Sequence, residues 1–385
     1  MRPRVAAAVI LLPLALGCGD PNSGRSQRPA ARSSAVRVSG TSFRTTDGRP
    51  FHWRGITAFR LLDSVSDKRE DEVERYLAWA ASQHLTVVRV LAMGTGFLSL
   101  TPEEGRAALP RLLEMAARHG MYVEAVALAG TAEVPVDLAA QVAAIGKIAA
   151  AHPNAFLEIA NEPVHPTQAP DVHRAEVLED FARKLPQDVN VALGSVERGA
   201  GFAAGDYVTW HVPREDAHEG WGHVLAIAAG ADLLTRWKKP VVSDEPIGAG
   251  PKYEPGRRDD NPARFRAAAL LTRLTGLGAT FHYEGGLQAR IPDGRELECF
   301  NAWNEAWTLL PVDVEEEGVF RLAGTAGAIV REYNRQLLAV FERSSGSRAW
   351  VLAIGAGEPE LRLADGWSPT QVRTLDKARL IELSR

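Results

Sequence analysis

FLEIANEPVHP, residues 156–166, is the stretch on which the reading of this chain turns. Phe156, Leu157, Glu158, Ile159 and Ala160 make a short apolar, strand-forming run. It must stop near Asn161-Glu162-Pro163, because Pro163 has no N–H to give to a further ladder bond. A carboxylic acid therefore stands at the rim of something buried. If strands of this kind close into a parallel barrel, chemistry sits at their carboxyl ends, and Glu162 sits at one. Asn-Glu-Pro alone also fits an ordinary turn, so its meaning depends on what flanks it.

On both sides of the stretch the periodicity alternates between strand and helix. Counted from Phe51, strands are predicted at residues 52–56, 85–91 (LTVVRVL), 121–128, 155–161, 189–196, 207–212, 240–245 (PVVSDE) and 278–283 (GATFHY). Helical stripes are predicted at 71–83, 102–119, 137–151, 172–185, 221–238 and 264–275. Thr101 and Glu104 read as a capping box opening the second of these, and Gly120 closes it. Eight strands, each followed by a helix or a helix-sized connection, with no glycine-rich phosphate turn after the first strand, predict an α/β fold of the closed (β/α)8 TIM barrel type rather than an open doubly wound sheet. Ahead of the barrel, residues 36–59 read as two strands joined at Asp47-Gly48, a hairpin signal. After Leu310 come short alternating runs at 328–333, 337–342, 349–354, 360–363, 372–375 and 380–383, the pattern of a small antiparallel β module. The expected organisation is a barrel over 36–310 and a β module over 311–385.

With 385 residues, 45% of them hydrophobic, the chain can bury a large core. A net charge of −4 offers no basic field for nucleic acid, and ten scattered histidines without HExxH or CxxC give no zinc signature, so neither metal nor cofactor is expected. Arg2 and Arg4 precede an apolar run from Val5 to Leu16, which is too short to span a bilayer and matches an export signal. It closes on Leu14-Ala15-Leu16-Gly17-Cys18, which resembles a bacterial lipobox with Cys18 as the acylated residue. An ordinary secretory signal cleaved nearby is the alternative. The only other cysteine, Cys299, would then have no partner within the chain. Residues 1–18 are thus expected to be a lipoprotein signal and 19–35 a disordered tether. The expected protein is an exported monomer, anchored by lipid and facing the periplasm or cell surface.

Glu162 ends the fourth strand and Glu245 the seventh, on opposite sides of a barrel mouth. Two opposed carboxyl groups are what cleavage of a glycosidic bond requires: one protonates the leaving oxygen and one attacks or stabilises the anomeric carbon.

The hairpin leading into FHWRGI, Arg89 on the second strand, Asn161-Glu162-Pro163 closing the fourth, His211 closing the sixth and Glu245 in KKPVVSDEPIG together resemble clan A glycoside hydrolases, closest to the cellulase-like family five. The resemblance runs from about Gly40 to Tyr283. It implies that Glu162 is the general acid/base, that Asn161 binds the hydroxyl beside the anomeric carbon, that Glu245 is the nucleophile kept ionised by Arg89, and that His211 lines the site. It implies retaining hydrolysis of a carbohydrate, with carboxyl groups about 5 Å apart. Two positions depart from the family pattern: Pro213 stands where a tyrosine is usual, and the eighth strand ends in Phe281-His282-Tyr283-Glu284 where a tryptophan floors the sugar site. Tyr283, Trp210 or Trp303 would then supply the stacking face, with His282 beside them.

Plainer readings stand beside these. Arg89 also fits a structural ion pair to a barrel carboxylate, and His211 a satisfied core histidine. Trp303 and Trp307, four apart, also fit a helix face packed on the barrel, and this is the preferred reading for Trp307. Glu284 is a competing strand-end carboxylate, and Asp244 should point away from Glu245 if the pleat persists. Two other functions are consistent with the chain: a glycan-binding lipoprotein that has lost turnover, and a metal-dependent hydrolase using His165, His211 and His282.

Overall fold

The computed structural model describes residues 36–94, 98–195, 203–212, 220–246, 248–250, 258–315 and 318–385. Eight parallel strands form the predicted barrel: β1 (Arg54–Thr57), β2 (Val87–Leu91), β3 (Tyr122–Leu128), β4 (Ala155–Ala160), β5 (Asn190–Ala192), β6 (Val208–Thr209), β7 (Val241–Ser243) and β8 (Gly278–Phe281). Neighbours in sequence are neighbours in space, and β8 pairs with β1. Between β5 and β6 no regular ladder forms among the described residues. Hydrogen bonds from Asp206 N to Val191 O (2.6 Å) and from His211 N to Ser195 Oγ (3.0 Å) bridge that seam.

Alternation along each strand sends one set of side chains inward. The lowest inward layer is apolar and includes Trp53, Val87, Phe156, Ala192, Tyr207 and Val242. An N-terminal sheet plugs this end: Phe43 lies 5.4 Å from the Trp53 ring and 5.5 Å from that of Phe156. The sheet has three strands, Val36–Ser39, Ser42–Thr45 and Pro50–Phe51, where the sequence suggested two. The overlooked turn is at Gly40, whose φ of 61° suits glycine and breaks what reads as one continuous strand.

The helices match the predicted βα rhythm. Thr101 and Glu104 form the reciprocal capping box at the head of Pro102–Arg118. The stripe at 221–238 is divided into Gly222–Ala226, a 3-10 turn Ile227–Ala229, and Gly230–Trp237. At Gly230 an added Cβ would lie 2.5 Å from Leu277 and 2.9 Å from the Trp210 ring, so a side chain there would have to displace one or both. A further helix, Gly294–Leu309, carries buried Cys299 and Trp303 against helix Pro262–Thr275. No described helix is long and apolar enough to cross a membrane.

The C-terminal part is a five-stranded antiparallel sheet in the order Val319–Leu322, Leu337–Ser345, Arg348–Gly355, Ala378–Ser384, Ser368–Leu375. A two-stranded pair, Val330–Tyr333 with Leu361–Leu363, lies beside it. One face, including Phe341, Leu352 and Leu380, joins the barrel core. Arg343 donates to the carbonyls of Leu274 and Glu315, and Arg273 to those of Trp307 and Leu310. Helices of a βα barrel run antiparallel to its strands, so these contacts, at the end of Pro262–Thr275, lie at the barrel face opposite the strand C-termini. A groove of about 360 Å³ opens on that side between Phe43, His52, Leu234, Glu315 and Phe320, remote from Glu162 and Glu245.

Candidate active site

Two residues above the apolar plug, the inward positions become polar: Arg89, Glu124, Glu158, Thr209 and Asp244, all buried. A barrel interior is ordinarily filled by branched apolar side chains, so this layer must be compensated internally. Arg89 is the hub. Its Nε and Nη2 donate to Glu158 Oε2 at 3.0 and 2.8 Å, its Nη1 to Glu245 Oε1 at 2.7 Å, and its Nη2 also to Asn161 Oδ1 at 2.9 Å. Asp244 Oδ2 lies 3.2 Å and Glu124 Oε2 3.6 Å from its Nε. Tyr207 donates to Glu124 at 2.8 Å. The plain reading of Arg89 as a barrel ion pair and the reading that sets it beside Glu245 are therefore both satisfied by one side chain.

One guanidinium cannot neutralise four carboxylates. Burial, reinforced by neighbouring Glu158, drives the Glu124 carboxyl well above its ordinary range, and burial carries Glu158 up to about 7. Burial also opposes ionisation of Asp244, but Arg89 and His211 outweigh it and hold that carboxyl below its usual value. His211 shows the converse. Burial disfavours its charge, yet Glu245 and Asp244 raise it to about 10, so the imidazolium persists at neutral pH.

His211 stands over this layer at the strand C-termini. Its Nδ1 lies 3.3 Å from Glu162 Oε1 and 3.7 Å from Glu245 Oε2, and its Nε2 lies 3.6 Å from Asp244 Oδ2. Glu162 and Glu245 offer carboxylate oxygens within 4.8 Å of one another. Their settings differ: the side chain of Glu245 is 7% exposed against Arg89, that of Glu162 34% exposed. Glu162 also leaves β4 in the left-handed region, at φ 42°, a conformation that costs a residue with a Cβ about 1–3 kcal/mol and persists only when its surroundings impose it.

The remaining predicted residues separate by strand parity. His211 and Thr209 face inward, so Trp210 between them turns its ring outward to Gly230. On β8, Thr280 and His282 face inward, and His282 shares a 2.9 Å hydrogen bond with Thr57 Oγ1. Tyr283 consequently points out, fully buried, with its hydroxyl 3.0 Å from that of Tyr76 and bonded to Arg290 O. Trp303 packs against Phe281, Phe300 and Trp307 on the outer helix. None of Trp210, Tyr283 and Trp303 presents a stacking face at the mouth. Asp244 keeps the inward parity of Val242, but β7 ends at Ser243, so the pleat no longer governs Glu245, which also turns to Arg89 and corrects the expectation that the two point apart. Glu284 lies instead beside Gly250, away from Arg89. Pro213 and Cys18 fall outside the described residues.

His165 and His282 do not join His211. Among the described residues, the two groups able to hold a cation are Glu158–His211–Asp244 and Glu162–His211–Glu245.

The linkage of these groups to folding has a definite sign. Glu158 and His211 both bind protons more tightly folded than unfolded, so each loses stabilisation as pH rises, Glu158 between about 4.5 and 7 and His211 between about 6.5 and 10. Each contributes at most about 1.4 kcal/mol per pH unit. The wild-type Tm is expected to fall steadily from pH 7 to 9.5, and more shallowly in His211→Gln. A wild-type Tm that rises over that range would contradict the charge assignment.

No protein-family model and no curated protein matches the chain. Solved structures do. A glycoside hydrolase family 5 protein from Bacteroides vulgatus is 15% identical, with a TM-score of 0.57 over 91% of this chain and 93% of that one. A structure described as a glycoside hydrolase is 13% identical, with a TM-score of 0.61 over 91% and 97%. A β-glucanase from Saccharophagus degradans in complex with cellotetraose is 12% identical, with a TM-score of 0.56 over 72% and 94%. These likenesses establish the barrel fold.

Proposed function

We propose that the chain is a retaining glycoside hydrolase acting on a carbohydrate. The observation that carries this reading is the pair Glu162 and Glu245 at the ends of β4 and β7, with oxygens within 4.8 Å and unequal settings. So close an approach of one oxygen from each favours the spacing of retaining enzymes, about 5–5.5 Å between carboxyl groups, over the about 6.5–9.5 Å that inverting ones leave for a water. Arg89 favours the ionised form of Glu245, whose oxygen attacks the anomeric carbon. As the glycosidic C–O bond breaks, Glu162 gives its proton to the departing oxygen. Glu162 then removes a proton from water, the hydroxide oxygen attacks the same carbon, and Glu245 leaves as carboxylate. The imidazolium of His211, between the two, steadies their charges as the proton moves, and Asn161, held by Arg89, is placed to bind the hydroxyl next to the anomeric carbon.

The resemblance of the fold to a β-glucanase directs the first assay to β-glucans, with release of reducing ends as the readout. Hydrolysis of at least one is expected. Measurable binding without turnover across the set would replace this reading by that of a glycan-binding protein. We also propose export as a lipoprotein acylated at Cys18, on the strength of the sequence 14–18. Incorporation of a palmitate analogue that is lost in Cys18→Ala tests it.

A further inference from the structure

Gln168 is 2% exposed in the loop after β4, and its amide makes four hydrogen bonds. Its Nε2 donates to the carbonyls of Asn161 and, at 3.3 Å, Leu128. Its Oε1 accepts from Thr131 Oγ1 at 2.8 Å and from Thr131 N at 3.4 Å. A primary amide has two donors and two acceptor sites, so the side chain is fully committed, and its removal would strand buried backbone groups. It ties the end of β3 and the loop after it to the end of β4. Thr131 Oγ1 closes the loop by accepting from Ala169 N at 2.8 Å, and Ala132 N donates to Thr167 O at 2.9 Å.

The Asn161 carbonyl belongs to the peptide plane that precedes Glu162, and rotation of that plane sets φ of Glu162. Asn161 is held at three points: its N donates to Leu128 O at 2.9 Å, its Oδ1 accepts from Arg89, and its O accepts from Gln168. The unfavourable φ of 42° at Glu162 begins at the next bond and carries the carboxylate to 3.3 Å from His211. We infer that Gln168, braced by Thr131, is a positioning residue that locks the left-handed backbone of Glu162 and so aims the proton donor at the leaving-group oxygen. The inference rests on the hydrolase reading above and names how its acid is aimed.

A misaimed acid impairs substrates whose leaving group needs a proton and spares those whose leaving group departs unaided. The test compares kcat/KM for phenyl and 2,4-dinitrophenyl β-glucosides and β-mannosides in wild type, Gln168→Leu, Thr131→Val and Glu162→Gln, with Tm measured alongside. Gln168→Leu is expected to lose about 10- to 100-fold on the phenyl glycosides, within the range attributable to general acid catalysis, and under 3-fold on the dinitrophenyl ones. Thr131→Val should show a smaller loss with the same selectivity, which keeps the test available if Gln168→Leu folds poorly. Equal losses on both leaving groups, or no loss, would overturn the positioning role. If Glu162→Gln itself shows no leaving-group selectivity, the assignment of the acid has failed and the role of Gln168 falls with it. If Glu162→Gln is selective and the Gln168 and Thr131 variants are not, the clamp alone is wrong.

Discussion

Glu245→Gln is expected to lower kcat/KM on any cleaved glycan by about 10⁴-fold or more, because a neutral amide cannot form the glycosyl ester and the step has no other route. Glu162→Gln is expected to cost about 10²- to 10⁴-fold, the range for loss of a positioned general acid, and its cost should shrink as the leaving group improves. The asymmetry follows from their settings. Glu245 is buried against the Arg89 guanidinium, at 2.7 Å, while Glu162 is partly open and touches His211. Glutamine keeps the shape of each side chain, so a folded variant should retain its Tm within a few degrees. Survival of hydrolysis in both variants would sink the two-carboxylate account.

The second large effect is on stability. Arg89→Met is expected to cost about 3–5 kcal/mol of unfolding free energy, since it leaves Glu158, Asp244 and Glu245 buried around an apolar side chain. An exposed pair such as Arg348–Glu382 should contribute no more than about 1 kcal/mol. Denaturant titration of Arg89→Met and of Arg348→Met separates the two. Equal, small losses for the two arginine variants would show that Arg89 does not hold the polar layer together.

The βα rhythm, the capping box at Thr101 and the strand numbers of Glu162 and Glu245 were all legible, because each rests on local periodicity or on a side chain bonding within its own turn. The polar layer was only half legible. Arg89 interrupts VVRVL visibly, but Glu124 and Glu158 acquire meaning only when the closed barrel brings them to the same guanidinium, a relation no single strand records. Trp210 and Tyr283 were misplaced for a different reason. Strand parity was available: once His211 and His282 face the barrel interior, their neighbours must face the helices. Glu245 is the opposite error, parity applied past Ser243, where the strand has already ended. The left-handed backbone at Glu162 had no signal at all, since Asn-Glu-Pro gives no reason to expect positive φ there. It is imposed by Gln168 and Arg89 from outside the segment.

The central claim, that Glu245 attacks the sugar, is tested most directly by trapping. Incubation with a 2-deoxy-2-fluoro glycoside of a sugar the protein cleaves, carrying a dinitrophenyl leaving group, should accumulate a covalent glycosyl-enzyme, because the fluorine slows its breakdown. Peptide mapping should place the label on Glu245, within residues 239–246, and Glu245→Gln should remain unlabelled. Label on Glu162, Asp244 or any other residue would contradict the account.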